Sequence, residues 1–141
     1  MRLITELRSR GYSVGVVKHC GHAFSLDYES KDSWQFMHSG SEGVALVSPD
    51  QLAVIKNIDR ELNLSRIAQE FFQNVDYVLV EGGRQDPNLK KIEVIREGAA
   101  EDVQSPPDEL IALVSDRKLL TDKPVFLPDQ IHDIADFLEK F

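Results

Sequence analysis

The chain reads as an α/β protein: a three-layer sandwich in which helices cover a mostly parallel sheet. Three observations predict it. The runs at 14–17, 78–80 and 110–114 are β-branched and apolar without polar alternation, the pattern of strands covered on both faces. Helical stripes at i, i+3, i+4 spacing fall between such runs, and strand–helix alternation favours a parallel sheet. Finally, Val17, Val80 and Val114 each run directly into polar residues. In open α/β sheets that carboxyl edge is where ligands bind.

Taken in order, Leu3, Ile4 and Leu7 stripe a first helix. Arg8 and Arg10 suit its C-terminus and Gly11 its C′ position. Val14-Gly15-Val16-Val17 is a short strand leading into Lys18-His19-Cys20-Gly21-His22. A loop follows over 23–31, then a helix over 33–38 capped by Ser30 or Asp32 and closed by Gly40, with Trp34 and Met37 toward the core. The runs 44–47 and 52–55 read as an antiparallel hairpin around the turn Ser48-Pro49-Asp50-Gln51. Leu64, Ile67, Ala68, Phe71 and Phe72 form the clearest amphipathic helix, capped by Asn63.

The strand 76–81 comes next and ends at Glu81-Gly82-Gly83, where glycines permit a turn or a close approach that a side chain would block. Residues 91–96 are a further strand. The stretch 98–108, with two prolines and several acids, is a surface loop, and the acids Glu101, Asp102, Asp108 and Glu109 a solvated run. Residues 110–114 form a buried strand ending at Ser115-Asp116, residues 124–127 a short last strand, and Ile131, Ile134, Ala135 and Leu138 a closing helix capped by Asp129. The expected organisation is one domain over residues 1–141, since 42% hydrophobic content in 141 residues supports a single core.

Charge and cysteine content narrow the function. A net charge of −8 argues against nucleic acid or an anionic membrane as the main partner. With Cys20 alone no intrachain disulfide can form, and a reducing cytoplasm is the expected compartment. No apolar run approaches the ~18 residues that cross a bilayer.

Several chemistries are compatible with the polar strand ends. Lys18, His19 and His22 form a local positive patch for an anion. His19, Cys20 and His22, with Asp27, have zinc-ligand side chains, but their spacing matches no C-x₂-C or H-E-x-x-H pattern, and Glu81 suits Mg²⁺ better. A Cys20–histidine nucleophilic pair lacks a separate orienting residue. The bland readings also stand: a solvated polar loop at 18–22, and an ordinary strand followed by an ordinary turn at Glu81.

The succession Val17-Lys18-His19 with His22, Lys31-Asp32-Ser33-Trp34, Leu79-Val80-Glu81-Gly82, Lys91-Ile92-Glu93 and Val114-Ser115-Asp116 resembles the molybdopterin-guanine dinucleotide biosynthesis protein B (MobB) family. The resemblance runs in order along the whole chain. It implies a P-loop NTPase-like fold that binds GTP, turns it over weakly at most, and dimerises. It also implies an accessory role beside the nucleotidyltransferase, the molybdenum cofactor guanylyltransferase, that joins GMP to molybdopterin. By the same resemblance Glu81 and Gly82 are the Walker-B-type strand end that holds Mg²⁺ or positions water. Lys18, His19 and His22 are the loop after the second strand, Asp32 and Ser33 the polar turn beyond it, and Ser115 and Asp116 a strand end near the base.

The sequence departs from the family pattern in three places. The first strand and the G-x-x-x-x-G-K-[ST] (Walker A) loop, whose amides cradle phosphates, are absent from it. Gly21 stands where the family tends to have histidine, and Ser30 where it tends to have glycine. The expectations are therefore weak GTP affinity and association through an unpaired strand edge. The alternative functions are a nucleotide-independent adapter for the transferase and a zinc-binding domain through His19, Cys20 and His22.

Overall fold

A computed structural model describes residues 1–25, 27–96 and 103–141. The elements in order are α1 (Arg2–Ser9), β1 (Val14–Lys18), α2 (Asp32–His38), β2 (Gly43–Val47), β3 (Leu52–Lys56), α3 (Leu64–Phe71), β4 (Tyr77–Glu81), β5 (Lys91–Ile95), β6 (Leu110–Ser115), β7 (Val125–Phe126) and α4 (Ile131–Leu138). They fall into two compact units, one comprising Met1–His19 with Asn63–Phe141 and the other Cys20–Leu62.

The larger unit is the α/β body. β1 pairs with β4 in parallel, and β5, β6 and β7 form a second parallel sheet with β6 in the middle. α1 packs on β1 and on α4, and α3 packs on β1. Local sequence explains the ends of α1: Gly11 sits at φ +93° as C′, its N–H donates to the Arg8 carbonyl, and the Tyr12 N–H donates to the Leu7 carbonyl. That pair of bonds satisfies carbonyls the helix end would otherwise leave open. Gly15 has a packing role, because a Cβ there would lie 2.5 Å from the Phe72 ring that rests against the strand.

The core of this unit lies around β6 rather than β4. Ile95, Leu110 and Leu113 form a buried cluster joined by Leu119, and Ala112 and Val114 are also buried. By contrast Tyr77, Val78, Leu79 and Val80 are only half-buried, and Val16 is exposed, so the expectation that strand 76–81 is covered on both faces is not met. The reason is position: β6 has a strand on each side, whereas β4 is paired with β1 alone among the described residues. Phe71, on the apolar stripe that the sequence marks along this helix, is two-thirds exposed, while Leu64 on the same helix is buried.

The smaller unit holds α2 and the hairpin β2–β3, antiparallel as expected, with α2 packed on β2. Gly40 ends α2 at φ +99°, the same device as at Gly11. Two caps differ from expectation. Lys31 is the N-cap of α2 and makes no side-chain cap bond, leaving Asp32 inside the first turn, where a negative charge suits the helix dipole. Gln130 rather than Asp129 precedes α4, and its Oε1 accepts the Leu127 N–H. Asn63 does cap α3, accepting the Arg66 N–H at 3.0 Å. Glu101 and Asp102 of the expected acidic loop lie outside the described residues. No helix among those described is long and apolar enough to cross a membrane.

Candidate functional site

The register of β1 on β4 decides what meets at their carboxyl ends. Val17 is opposite Val80, and Lys18 opposite Glu81. Lys18 Nζ lies 2.9 Å from Glu81 Oε1, with both side chains largely open to solvent. The His19 N–H continues the ladder by donating to the Glu81 carbonyl at 2.8 Å. Parallel strands in register thus bring a cation, a carboxylate and an imidazole to one edge, with the Lys18 and Glu81 side chains largely open to solvent.

Gly82 and Gly83 then turn the chain away at φ +83° and +65°. Both need the missing side chain. A Cβ on Gly82 would stand 3.0 Å from the His19 carbonyl oxygen, and one on Gly83 2.0 Å from Leu64 Cδ1. The backbone therefore passes close under His19 and against the first turn of α3. Asp86 fixes the rest of that turn: its carboxylate accepts the Asn88 N–H and the Ser65 N–H. Burial pushes the Asp86 carboxyl up, but the N–H groups of Asn88 and Ser65 outweigh this and hold it below its ordinary value.

At the opposite end of the same strand pair, Ser13 and Asp76 clasp each other. The Ser13 N–H and hydroxyl donate to Asp76 Oδ2 at 2.7 and 2.6 Å, and the Asp76 N–H donates to Ser13 Oγ. The Ser13 hydroxyl, then its N–H, keeps the Asp76 carboxyl below the usual range. Sequence reasoning did not single out Ser13, Asp76 or Asp86 as positioning residues. Asp86-Pro87-Asn88 carries a readable signal, since aspartate two residues before an N–H favours such a turn. The Ser13–Asp76 pair, 63 residues apart, carries none.

Ser115 ends β6, in the other parallel sheet, and Asp116 follows it, so they do not lie on the strand edge that carries Lys18 and Glu81. Ser115 is buried and its Oγ accepts the Arg117 N–H, while Asp116 is exposed. In the smaller unit, His22 is exposed with Nδ1 3.0 Å from the Ala23 carbonyl, Asp32 is exposed and Ser33 half-buried. Among the described residues no three His, Cys, Asp or Glu side chains come together in a way that could hold a metal ion. The zinc set of His19, Cys20, His22 and Asp27 is therefore not assembled. Glu81 alone fits a different mode, in which Mg²⁺ takes one carboxylate and completes its shell with phosphate oxygens and water.

Comparison with known proteins gives the fold and the site a context. A profile of the family described as "Molybdopterin guanine dinucleotide synthesis protein B" matches residues 1–116. The chain belongs to the MobB family. A relative from Haemophilus influenzae, named "Molybdopterin-guanine dinucleotide biosynthesis adapter protein", is 32% identical over 141 residues, 99% of this chain and 79% of the relative. A crystal structure of molybdopterin-guanine biosynthesis protein B superposes with a TM-score of 0.68 at 26% identity, covering 99% of this chain and 87% of that one. Bacillus subtilis MobB, at 20% identity and a TM-score of 0.67, covers 96% of this chain and 86% of its own, and shares the fold. The motifs that carried the resemblance, Lys18-His19 and Glu81-Gly82 among them, fall inside the matched span.

Proposed function

We propose that the chain is a GTP-binding accessory protein in the making of molybdopterin guanine dinucleotide. It assists the guanylyltransferase that joins GMP to molybdopterin, and it works as a homodimer in the cytoplasm. The observation that carries the nucleotide part is the Lys18–Glu81 pair at the end of two in-register parallel strands, turned sharply at Gly82. Such an edge offers a cation for phosphate oxygens beside a carboxylate suited to Mg²⁺, at the place where α/β sheets bind ligands. Family membership and the adapter named in Haemophilus influenzae support the accessory role.

In this reading Lys18, His19 and His22 answer the phosphate charge. Glu81 holds Mg²⁺ or orients water, and Gly82 lets the backbone approach the ligand. Asp32 and Ser33 supply the polar turn, and Ser115 and Asp116 serve the base. Bound Mg²⁺ would supply charge neutralisation at the phosphates, while the chain's own part is to hold and orient them.

The test uses the purified chain and the purified guanylyltransferase. Formation of the guanine dinucleotide from molybdopterin and Mg·GTP is followed with and without the chain, together with calorimetry of Mg·GTP binding. Stimulated formation with nucleotide binding that needs Mg²⁺ is expected. Stimulation without any nucleotide binding would replace this reading with a nucleotide-independent adapter.

A further inference from the structure

The chain that leaves Glu81 is anchored away from the ligand edge. Gly82 and Gly83 follow Glu81 directly, both at positive φ, and the Gly83 carbonyl accepts the Asp86 N–H at 3.0 Å. A glycine pair has no side chains to fix its course, so whatever grips Asp86 sets where Gly82 and the end of β4 lie. Asp86 is half-buried and gripped from three sides. Its Oδ2 accepts the Ser65 N–H at 3.1 Å, its Oδ1 accepts the backbone and side-chain N–H groups of Asn88 at 3.0 and 3.1 Å, and its carbonyl accepts the Lys91 ammonium at 3.0 Å.

Two of these grips belong to elements outside the β1–β4 pair. Ser65 lies in the first turn of α3, where Asn63 takes the Arg66 N–H and Asp86 takes the Ser65 N–H. Those two amides, which a helix start leaves open, therefore hold acceptors of the chain itself. Lys91 begins β5 and forms an ion pair with Glu109, the residue before β6, while its N–H donates to the Glu109 carbonyl at 2.8 Å. Through Lys91 the turn after Glu81 is tied to the sheet that holds the buried cluster of Ile95, Leu110 and Leu113.

We propose that Asp86 and Lys91 are positioning residues for the ligand edge. Asp86 holds the Gly82–Gly83 turn, and with it the Glu81 carboxylate, in the place that ligand binding needs, and Lys91 fixes Asp86 to the second sheet. The inference rests on the Mg·GTP reading above and adds to it two residues that set affinity without touching the ligand. A group that answers a metal or a phosphate works only when held within about 0.5 Å of its place, so the backbone that carries it matters as much as its charge.

Calorimetry of Mg·GTP binding to the intact chain, beside urea unfolding, tests this. Asp86→Asn keeps the shape of the side chain but sets an amide NH₂ among N–H donors, and it should weaken binding by about tenfold. Lys91→Met combined with Glu109→Leu removes both charges of the ion pair together, which restores stability relative to Lys91→Met alone, yet leaves the Asp86 carbonyl without its ammonium. Binding by that double variant should stay about tenfold weaker, whereas a purely structural pair would regain affinity with stability. On a Glu81→Gln background Asp86→Asn should cost no further affinity, because it acts through Glu81. A wild type that binds no Mg·GTP overturns the nucleotide reading and this inference with it. A wild type that binds, with Asp86→Asn and the Lys91/Glu109 double variant binding equally well, overturns the positioning role alone. So does a full additional loss when Asp86→Asn is added to Glu81→Gln.

Discussion

Lys18 Nζ and Glu81 Oε1 lie 2.9 Å apart at paired positions on the last residues of β1 and β4, two strands separated by 62 residues of intervening chain that includes the whole smaller unit. An exposed pair of this kind contributes at most about 1 kcal/mol to stability. Glu81→Gln should therefore leave the unfolding midpoint nearly unchanged while Mg²⁺-dependent GTP binding falls by about tenfold or more, a loss of roughly 1.4 kcal/mol. Calorimetry beside a denaturant titration separates the two effects, and a Glu81→Gln chain that binds Mg·GTP as the wild type does would remove Glu81 from the site.

Gly83→Ala should destabilise the chain by about 1–3 kcal/mol, because it imposes a side chain at φ +65° and drives its Cβ against Leu64. Gly21→Ala is the matched control. Its φ is not positive and a Cβ there meets nothing within 4 Å, so a change within ±0.5 kcal/mol is expected. Equal urea midpoints for the two variants would contradict the tight turn.

Lys91 and Glu109 form an ion pair whose side chains are only 10% and 15% exposed, and the Lys91 ammonium also donates to the Asp86 carbonyl at 3.0 Å. Removing one partner leaves the other charge poorly solvated. Lys91→Met should cost about 3 kcal/mol, and the double variant Lys91→Met with Glu109→Leu should recover part of that loss. The unfolding free energies of the three chains form the cycle, and a Lys91→Met chain as stable as the wild type would show the pair to be inert.

Acid sensitivity should centre on Arg10. Its guanidinium bonds Glu6 at 2.8 Å, Asp136 at 2.6 Å and Glu139 at 3.0 Å, and approaches His132 Nδ1 at 2.9 Å, joining α1 to α4. Glu6, bonded first to Arg10 and then to His132, and Asp136, bonded to Arg10, both have carboxyls held below their ordinary values, while the guanidinium is raised by Glu6, Glu139 and Asp136. A carboxyl with a lowered folded-state value binds fewer protons than in the unfolded chain. Its contribution is thus full above the ordinary carboxylate range and fades as pH falls through and below it. Melting curves from neutral pH down to acid should show this fall in the wild type and a shallower one in Arg10→Ala, which should also melt lower at neutral pH. Parallel pH profiles would place the acid sensitivity elsewhere.

What could be read from the chain and what could not divide along one physical line. The stripes of α1 and α3, the Asn63 cap, the glycines at 11 and 40, the hairpin turn at Ser48 and the buried run at 110–114 are set by interactions a few residues apart. Spacing and residue type therefore announce them. The polar strand ends at Lys18, Glu81 and Ser115 were legible as candidates for the same reason. Which of them share an edge depends on strand pairing over many tens of residues, and no local rule supplies that. The fold aligned β1 with β4 so that Lys18 meets Glu81, put Ser115 in a different sheet, and gave the central buried place to β6 instead of β4. Ser13 with Asp76, and Arg10 with Asp136, are likewise pairs that exist only once the chain is closed. Sequence alone determined the elements and the candidate groups, because propensity, capping and periodicity act locally. Tertiary structure alone decided their register, burial and partners, because those follow from which distant apolar faces cover one another.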